Sequence, residues 1–247
     1  MASGIPRRLS HIWIGPHPAP DAWMRTWRDH HPDWDYTLYD NDYVFGRRFR
    51  NQKLLDYYFR YGQYAGAADV IRYELLQERG GFLAAADSTC LRPVDGLFPE
   101  PHAYTVYENE FVRGQLVSPI LACEPGNPFV EALVAMLGEI GEDEIGRPWM
   151  TTGNLFVTKA IRDLKPEITI FPSHYFIPEH FDGGRYEGDG PIYARQHFGT
   201  TVDGYEKNRP GFFARRKEKR LRREYDEQLR RRRAAVRERM IRGHDGP

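Results

Sequence analysis

The chain has 247 residues, 40% of them apolar and 14% aromatic, with 35 Lys and Arg against 35 Asp and Glu. That is enough for one α/β domain with a buried core, and the zero net charge beside this apolar content excludes a wholly disordered protein. No run approaches the roughly 18 apolar residues of a membrane span, the N-terminal stretch has no signal-peptide core, and Cys90 and Cys123 are too few for a disulfide framework or a multi-cysteine zinc site, so a reducing, cytoplasmic location is expected.

Charge is segregated along the chain. Residues 215–247 hold 14 Lys and Arg against 6 Asp and Glu, which leaves 21 against 29 for residues 1–214. An acidic body over 1–210 and a basic tail over 211–247 are the expected units, with the boundary near Pro210. Leu221, Tyr225 and Leu229 fall at four-residue steps in the tail, followed by Val236 and Met240. The spacing predicts an amphipathic helix. Such a helix docks on the body or on another copy, or its residues 215–242 meet an anionic partner, nucleic acid or a lipid surface.

In chain order, 9–14 reads as a strand ending at Gly15-Pro16, 21–31 as a helix carrying Trp23 and Trp27 and closed by Pro32, and 33–39 as a second strand. Residues 64–79 form a helix with Ala68, Ile71 and Leu75 on one stripe, stopped by Gly80-Gly81. A short buried strand over 82–86 then runs into Asp87. Further strands are expected at 103–107, 117–122, 168–171 and 192–197, and a helix at 128–138. Alternation of this kind implies an α/β fold, a three-layer arrangement around a mostly parallel sheet.

Ligands of open α/β sheets bind beyond the carboxyl ends of strands, where Asp87 stands; it can hold a metal or a sugar hydroxyl there, or cap its own turn. Asp69 and Arg72, three residues apart on the preceding helix, form a surface ion pair or together hold a polyhydroxylated, charged ligand. Glu108, Asn109 and Glu110 follow a strand and face either solvent or an acceptor. No GxxxxGK[ST] phosphate loop or GxGxxG fingerprint is present, and no Ser-His-Asp or Cys-His arrangement is evident.

The segments IPRRLSHIWIG, WMRTWRDHHPDWDYTLYD, AGAADVIRYELLQERGGF and AADSTCLRP, taken in this order over residues 5–93, resemble glycosyltransferases of the DXD sugar-binding type. These include family 32 enzymes of capsule and mannan synthesis and, more distantly, the clostridial glucosylating toxins. The resemblance implies a GT-A fold, a nucleotide-diphosphate sugar donor, a hydroxyl acceptor (a glycan, a lipid-linked glycan or a modified nucleic acid) and Mn²⁺ or Mg²⁺. It places His11, Ile12 and Trp13 at the nucleotide, with the Trp13 ring on the base. Asp69 would hold the donor sugar and Arg72 the diphosphate side, making Asp69, Arg72 and Asp87 the catalytic set.

Against the family's GGxYLDxD run, Leu83 replaces the Tyr, Ala85 stands where the first Asp is expected, and Asp87 supplies the second. One carboxylate of the metal pair is absent. A natural enzyme with a relaxed metal site, an engineered inactivation and a binder without turnover all accord with this. By the same resemblance His197 would join Asp87 at the metal or diphosphate, Asn154 would contact the donor or acceptor, and the transfer would be retaining.

Overall fold

A computed structural model describes residues 4–199 except Val112 and Asp182, together with Glu227 and Arg231. The expected tail helix and the boundary near Pro210 therefore lie outside the described residues, apart from a 2.6 Å ion pair between Arg231 and Glu227.

The chain begins with β1 (Arg8–Ile12), α1 (Asp21–His30) and β2 (Asp35–Tyr39), and continues through α2 (Asn41–Phe45), α3 (Gln52–Arg60) and α4 (Tyr64–Arg79). Next come β3 (Gly81–Leu83), β4 (Ser88–Cys90), β5 (Ala103–Val106), β6 (Ala122–Cys123) and α5 (Pro128–Gly138). The described body closes with α6 (Pro148–Thr151), α7 (Asn154–Leu164), β7 (Ile168–Phe171) and β8 (Ala194–Gln196). Six strands form one sheet in the order β2-β1-β3-β6-β5-β7. The pairs β1/β2, β1/β3 and β5/β7 are parallel, and β6 is antiparallel to both neighbours.

Local chemistry accounts for these boundaries. Asp40 accepts from the Tyr43 backbone N–H at the start of α2, and Asn127 accepts from the N–H groups of Phe129 and Val130 at the start of α5. After α4 the chain turns through Gly80 and Gly81 with φ of 61° and 94°, a conformation that a Cβ strains; at Gly81 that Cβ would also lie 2.7 Å from the Arg8 carbonyl oxygen. Gly81 thereby lets β3 lie tight against β1.

Alternating side chains divide the core. One face, with Ile12, Tyr39 and Leu83, packs under Leu55, Val70, Ile71, Val130 and Val157 of the long helices. The other, with Leu9 and Phe82, packs under Trp27 of α1, Cys90 of β4 and Ala194 of β8. Helices, sheet, and a layer of α1 with the β4/β8 ribbon make up the three layers.

Two expected strands differ in place. Of 117–122 only the last residue enters regular pairing, because Pro119 has no N–H for a ladder; Val117 makes an isolated bridge to Tyr107. The strand expected over 192–197 pairs with β4 in the separate ribbon and not with the sheet.

Candidate functional site

The carboxyl ends of β3 and β5 open on a cavity of about 560 Å³. Arg72, Ala84, Ala85, Glu108, Asn154 and Gln196 are on its wall, with Trp27, Phe82, Val106, Phe176 and Ile177 as apolar surface.

Arg72 comes from the middle of α4. Its Nη1 donates to the carbonyl oxygens of Leu83 at 2.7 Å and Ile120 at 3.1 Å, so the guanidinium ties the end of β3 to the segment leading into β6. Burial lowers its pKa from the ordinary arginine value, opposed by the nearby Asp69 carboxylate. Asp69, one turn earlier, accepts at Oδ2 from the Thr152 hydroxyl at 3.0 Å. Burial pushes its carboxyl up to about 7, against the pull of Arg72 and the Thr152 hydrogen bond. The i,i+3 spacing thus serves as a bracket between three segments, each side chain turned to another part of the fold.

Gly153 makes the approach to Asp69 possible. A Cβ there would stand 3.0 Å from both Asp69 Oδ2 and the Trp149 Cα. Next in the chain, Asn154 donates from Nδ2 to Glu108 Oε2 at 3.0 Å, and Glu108 Oε1 lies 3.2 Å from Nε2 of the buried His180. Glu108 is therefore a half-buried link on the cavity wall, while Glu110 receives the Ser173 backbone N–H on both oxygens. Along the chain these acids could face either solvent or an acceptor, and the contacts of Glu108 do not show there because both its partners are remote in sequence.

At β1, His11 is wholly buried and bonded through Nδ1 to the Tyr36 hydroxyl at 3.2 Å. Its Nε2 has no hydrogen-bond partner among the described residues. Burial, helped by Arg28 and Arg72, drives its pKa down to about 3, so the ring is neutral. The Ile12 side chain belongs to the helix-side core. Trp13 is half-buried just beyond β1, its indole N–H donating to the His17 carbonyl at 2.8 Å. The described cavity is lined by neither His11 nor Trp13.

Asp87 and His197 belong to the β4/β8 ribbon. Asp87 Oδ1 accepts from Gln196 Nε2 at 2.7 Å, its Oδ2 accepts from the Gly199 N–H at 3.0 Å, and its carbonyl accepts from the His197 N–H. His197 Nε2 lies 2.6 Å from the Thr89 hydroxyl, and its ring stacks on Trp23 at 4.4 Å. Phe198, between them and Gly199, has φ of 51°, strained for a side chain of this size.

These residues do not fit a divalent ion held by the protein alone. Ala85 offers no ligand, both Asp87 oxygens already receive N–H groups, and His197 bonds to Thr89. Among the described residues no group of three His, Cys, Asp or Glu is placed to hold a metal. Hard cations normally take six or more oxygens, so most would have to come from elsewhere.

Residues 21–104 match the family described as "Glycosyltransferase sugar-binding region containing DXD motif". This segment is similar to DXD-type sugar-binding regions. It runs from α1 to β5 and so contains Asp69, Arg72, Ala85 and Asp87. The body has a GT-A type fold, sharing its architecture with the solved structure titled "PaToxG Glycosyltransferase" at a TM-score of 0.55, with 14% identity over 66% of this chain and 70% of that one. The UDP-bound glycosyltransferase domain from the YGT toxin aligns at a TM-score of 0.47 and 10% identity, over 68% of this chain and 80% of that one. Among curated proteins none matches. DXD glycosyltransferases generally use a divalent metal.

Proposed function

We propose that this chain transfers a sugar from a nucleotide-diphosphate sugar to a hydroxyl acceptor. The observation that carries this reading is that Arg72, Ala85 and Asn154 line one cavity at the carboxyl end of β3, with Asp69 one helical turn before Arg72. In an α/β sheet this is the ligand edge, and the three polar groups come from α4 and α7 on fixed backbone.

In this reading Trp13 bears the base, Asp69 accepts from donor hydroxyls, and Asn154 orients the sugar beside Glu108. The acceptor oxygen forms its bond to the anomeric carbon as the bond from that carbon to the diphosphate breaks, and the hydroxyl proton passes to a leaving phosphate oxygen. In a retaining transfer both events occur on one face of the sugar. Arg72 stabilises the charge that builds on the departing diphosphate, an interaction strongest in the transition state. Asp87, with His197 alongside, would be the protein's share in holding a Mn²⁺ or Mg²⁺ that comes mainly with the diphosphate, and such an ion would supply charge neutralisation on the leaving group. The basic residues 215–242 give the enzyme a contact with an anionic surface in a reducing, cytoplasmic setting. Among the described residues no helix is long and apolar enough to cross a membrane.

Ala85 favours a second reading, a nucleotide-sugar binder without turnover. Calorimetric titration of the full chain with UDP, GDP and their common sugar conjugates tests the first step of both. Saturable binding of one nucleotide, weakened at least tenfold in Trp13→Ala, is the expected result; absence of binding to any of them overturns both readings. Release of free nucleotide from the bound conjugate in the presence of a mixed acceptor pool then separates the transferase from the silent binder.

A further inference from the structure

A cleft of about 260 Å³ lies over β1 and β2 and shares no residue with the cavity at the ends of β3 and β5. Strand alternation builds it. Arg8, Ser10 and Ile12 of β1 are in register with Asp35, Thr37 and Tyr39 of β2, and the two rows share the helix side of the sheet. Ile12 and Tyr39 belong to the helix-side core, whereas the four residues before them on this face are polar and line the cleft. The apolar surface gives way to polar where α4 ends, and Arg79 and Gly80 form the opposite wall. From Arg72 to Arg79 is about 10 Å along the helix at 1.5 Å per residue, so the cleft opens towards the amino ends of the strands and away from the donor edge.

The cleft is rich in donors and poor in acceptors. The Ser10 and Thr37 hydroxyls are on register partners, and neither has a hydrogen-bond partner among the described residues. Arg8 donates from Nη1 to the Arg79 carbonyl at 2.7 Å, which holds its guanidinium at the end of α4 and leaves most of its five N–H groups for a ligand. Arg79 lies beside the Tyr39 phenol and meets an acid only at 3.5 Å, at Glu78 Oε1, while Glu78 Oε2 is 2.8 Å from Arg47. Asp35 is the one carboxylate on the wall, and among the described residues it forms no ion pair. Two guanidinium groups and two hydroxyls against a single carboxylate call for a ligand that brings negative charge and several acceptor oxygens. We infer that the cleft binds a phosphate monoester of a small polyol, its phosphate on Arg8, Arg79, Ser10 and Thr37 and one of its hydroxyls donating to Asp35. Its volume is several times the roughly 30 Å³ share of one water molecule, which leaves room for the polyol beside the phosphate. The cleft takes this ligand whether or not the chain transfers a sugar.

Calorimetric titration of the full chain with glycerol 3-phosphate, inorganic phosphate and glycerol tests this at low and high salt. Saturable binding of glycerol 3-phosphate is expected, at least tenfold tighter than glycerol and about threefold tighter than inorganic phosphate, and weaker at high salt because the arginines are open to solvent. Arg79→Gln is expected to weaken glycerol 3-phosphate at least tenfold and Thr37→Val about fivefold, while Asp35→Ala removes the preference over inorganic phosphate. Near-ultraviolet circular dichroism identifies a variant that has failed to fold, and Arg8→Gln then stands in for Arg79→Gln. Nucleotide-sugar affinity is expected to be the same in Thr37→Val as in the native chain. Failure to bind glycerol 3-phosphate, equally tight binding of glycerol or inorganic phosphate, or native affinity in both Arg79→Gln and Thr37→Val overturns the inference. A tenfold loss of nucleotide-sugar affinity in Thr37→Val overturns it too, because the cleft then belongs to the donor site. Phosphatidic acid in phosphatidylcholine vesicles presents the same group on a surface; vesicle binding that Arg79→Gln abolishes, without binding of the free ester, overturns the small-molecule ligand.

Discussion

The Thr152 hydroxyl donates to Asp69 Oδ2 at 3.0 Å, joining residues 83 positions apart. This contact sets the position of the carboxyl that the proposed function gives to the donor sugar, and it lies close against Gly153, where a Cβ would stand 3.0 Å from the same oxygen. The space at Gly153 is therefore one constraint on this position.

Gly153→Ala tests this close approach. The added methyl meets Asp69 Oδ2 and the Trp149 Cα at 3.0 Å, and one must move by a few tenths of an ångström. An expected loss of about 1–3 kcal/mol in stability follows from overpacking of this kind. Donor affinity should fall by roughly tenfold for a misplaced positioning group, as about 1.4 kcal/mol corresponds to a factor of ten. Thermal unfolding and nucleotide-sugar titration of the same preparation check both; unchanged donor affinity would detach Asp69 from the site.

His11 and Asp69 make opposite contributions to stability against pH. The His11 pKa falls from 6.5 to about 3 on folding, so below about pH 6.5 the unfolded chain binds the extra proton and stability drops with falling pH until about pH 3. The Asp69 pKa rises from 3.8 to about 7, so here the folded chain holds the extra proton; its contribution is full below pH 3.8 and is lost as pH rises towards 7. Each has a slope near 1.4 kcal/mol per pH unit at most, and between about pH 4 and 6.5 the two oppose each other. Relative to wild type, His11→Asn is expected to gain stability on going from pH 6.5 to 4, and Asp69→Asn to lose it. Denaturant midpoints at four pH values measure this, and identical slopes in all three proteins would contradict it.

Much of the fold is legible in the sequence where local chemistry and burial agree. The helices at 64–79 and 128–138 and the strand at 168–171 begin and end as expected, since an apolar stripe, a capping Asn127 or a pair of glycines marks each limit. Helices α2, α3, α6 and α7 were missed. The first and third are only five and four residues long, too short for a period to register. Of the site, Asp69, Arg72 and Ala85 follow from the motif order, which is local. Glu108 with His180, and Asp87 with Gln196, do not: each pair is joined across at least 70 positions, and single-sequence spacing carries no trace of such contacts.

Arg72 carries two separable loads. As a structural group it satisfies the Leu83 and Ile120 carbonyls, and as a cation it lines the cavity in which the proposed transfer puts the donor. Arg72→Lys keeps a charge but has no planar fork to serve both carbonyls. A loss of about 1–3 kcal/mol in stability is expected from the carbonyl left unpaired. Turnover, once an acceptor is in hand, should fall by about 10²–10³, the range for removal of a group that stabilises a developing oxyanion. Arg72→Met should lose as much stability and still more turnover. A full-rate Arg72→Met enzyme would sink the assignment of charge stabilisation to this residue.

Ala85→Asp supplies the carboxylate that the resemblance to DXD enzymes expects at this position. Ala85 is on the cavity wall, and its carbonyl is held by the Ser88 hydroxyl at 2.7 Å, so the substitution changes what the turn presents without altering the bond that closes it. Asp87 stands two residues on, with its oxygens bound by Gln196 and Gly199. A second carboxylate gives a hard cation two protein oxygens in addition to those of a diphosphate, whereas the native chain offers one already shared with N–H donors. Mn²⁺ is therefore expected to change nucleotide-diphosphate affinity less than about threefold in the native chain and at least tenfold in Ala85→Asp, a difference worth about 0.7 kcal/mol or more. Calorimetry with and without Mn²⁺ measures it, and adding Asp87→Asn to Ala85→Asp should abolish the gain. Equal metal dependence in the native chain and Ala85→Asp would mean that the cation is recruited by groups other than this pair.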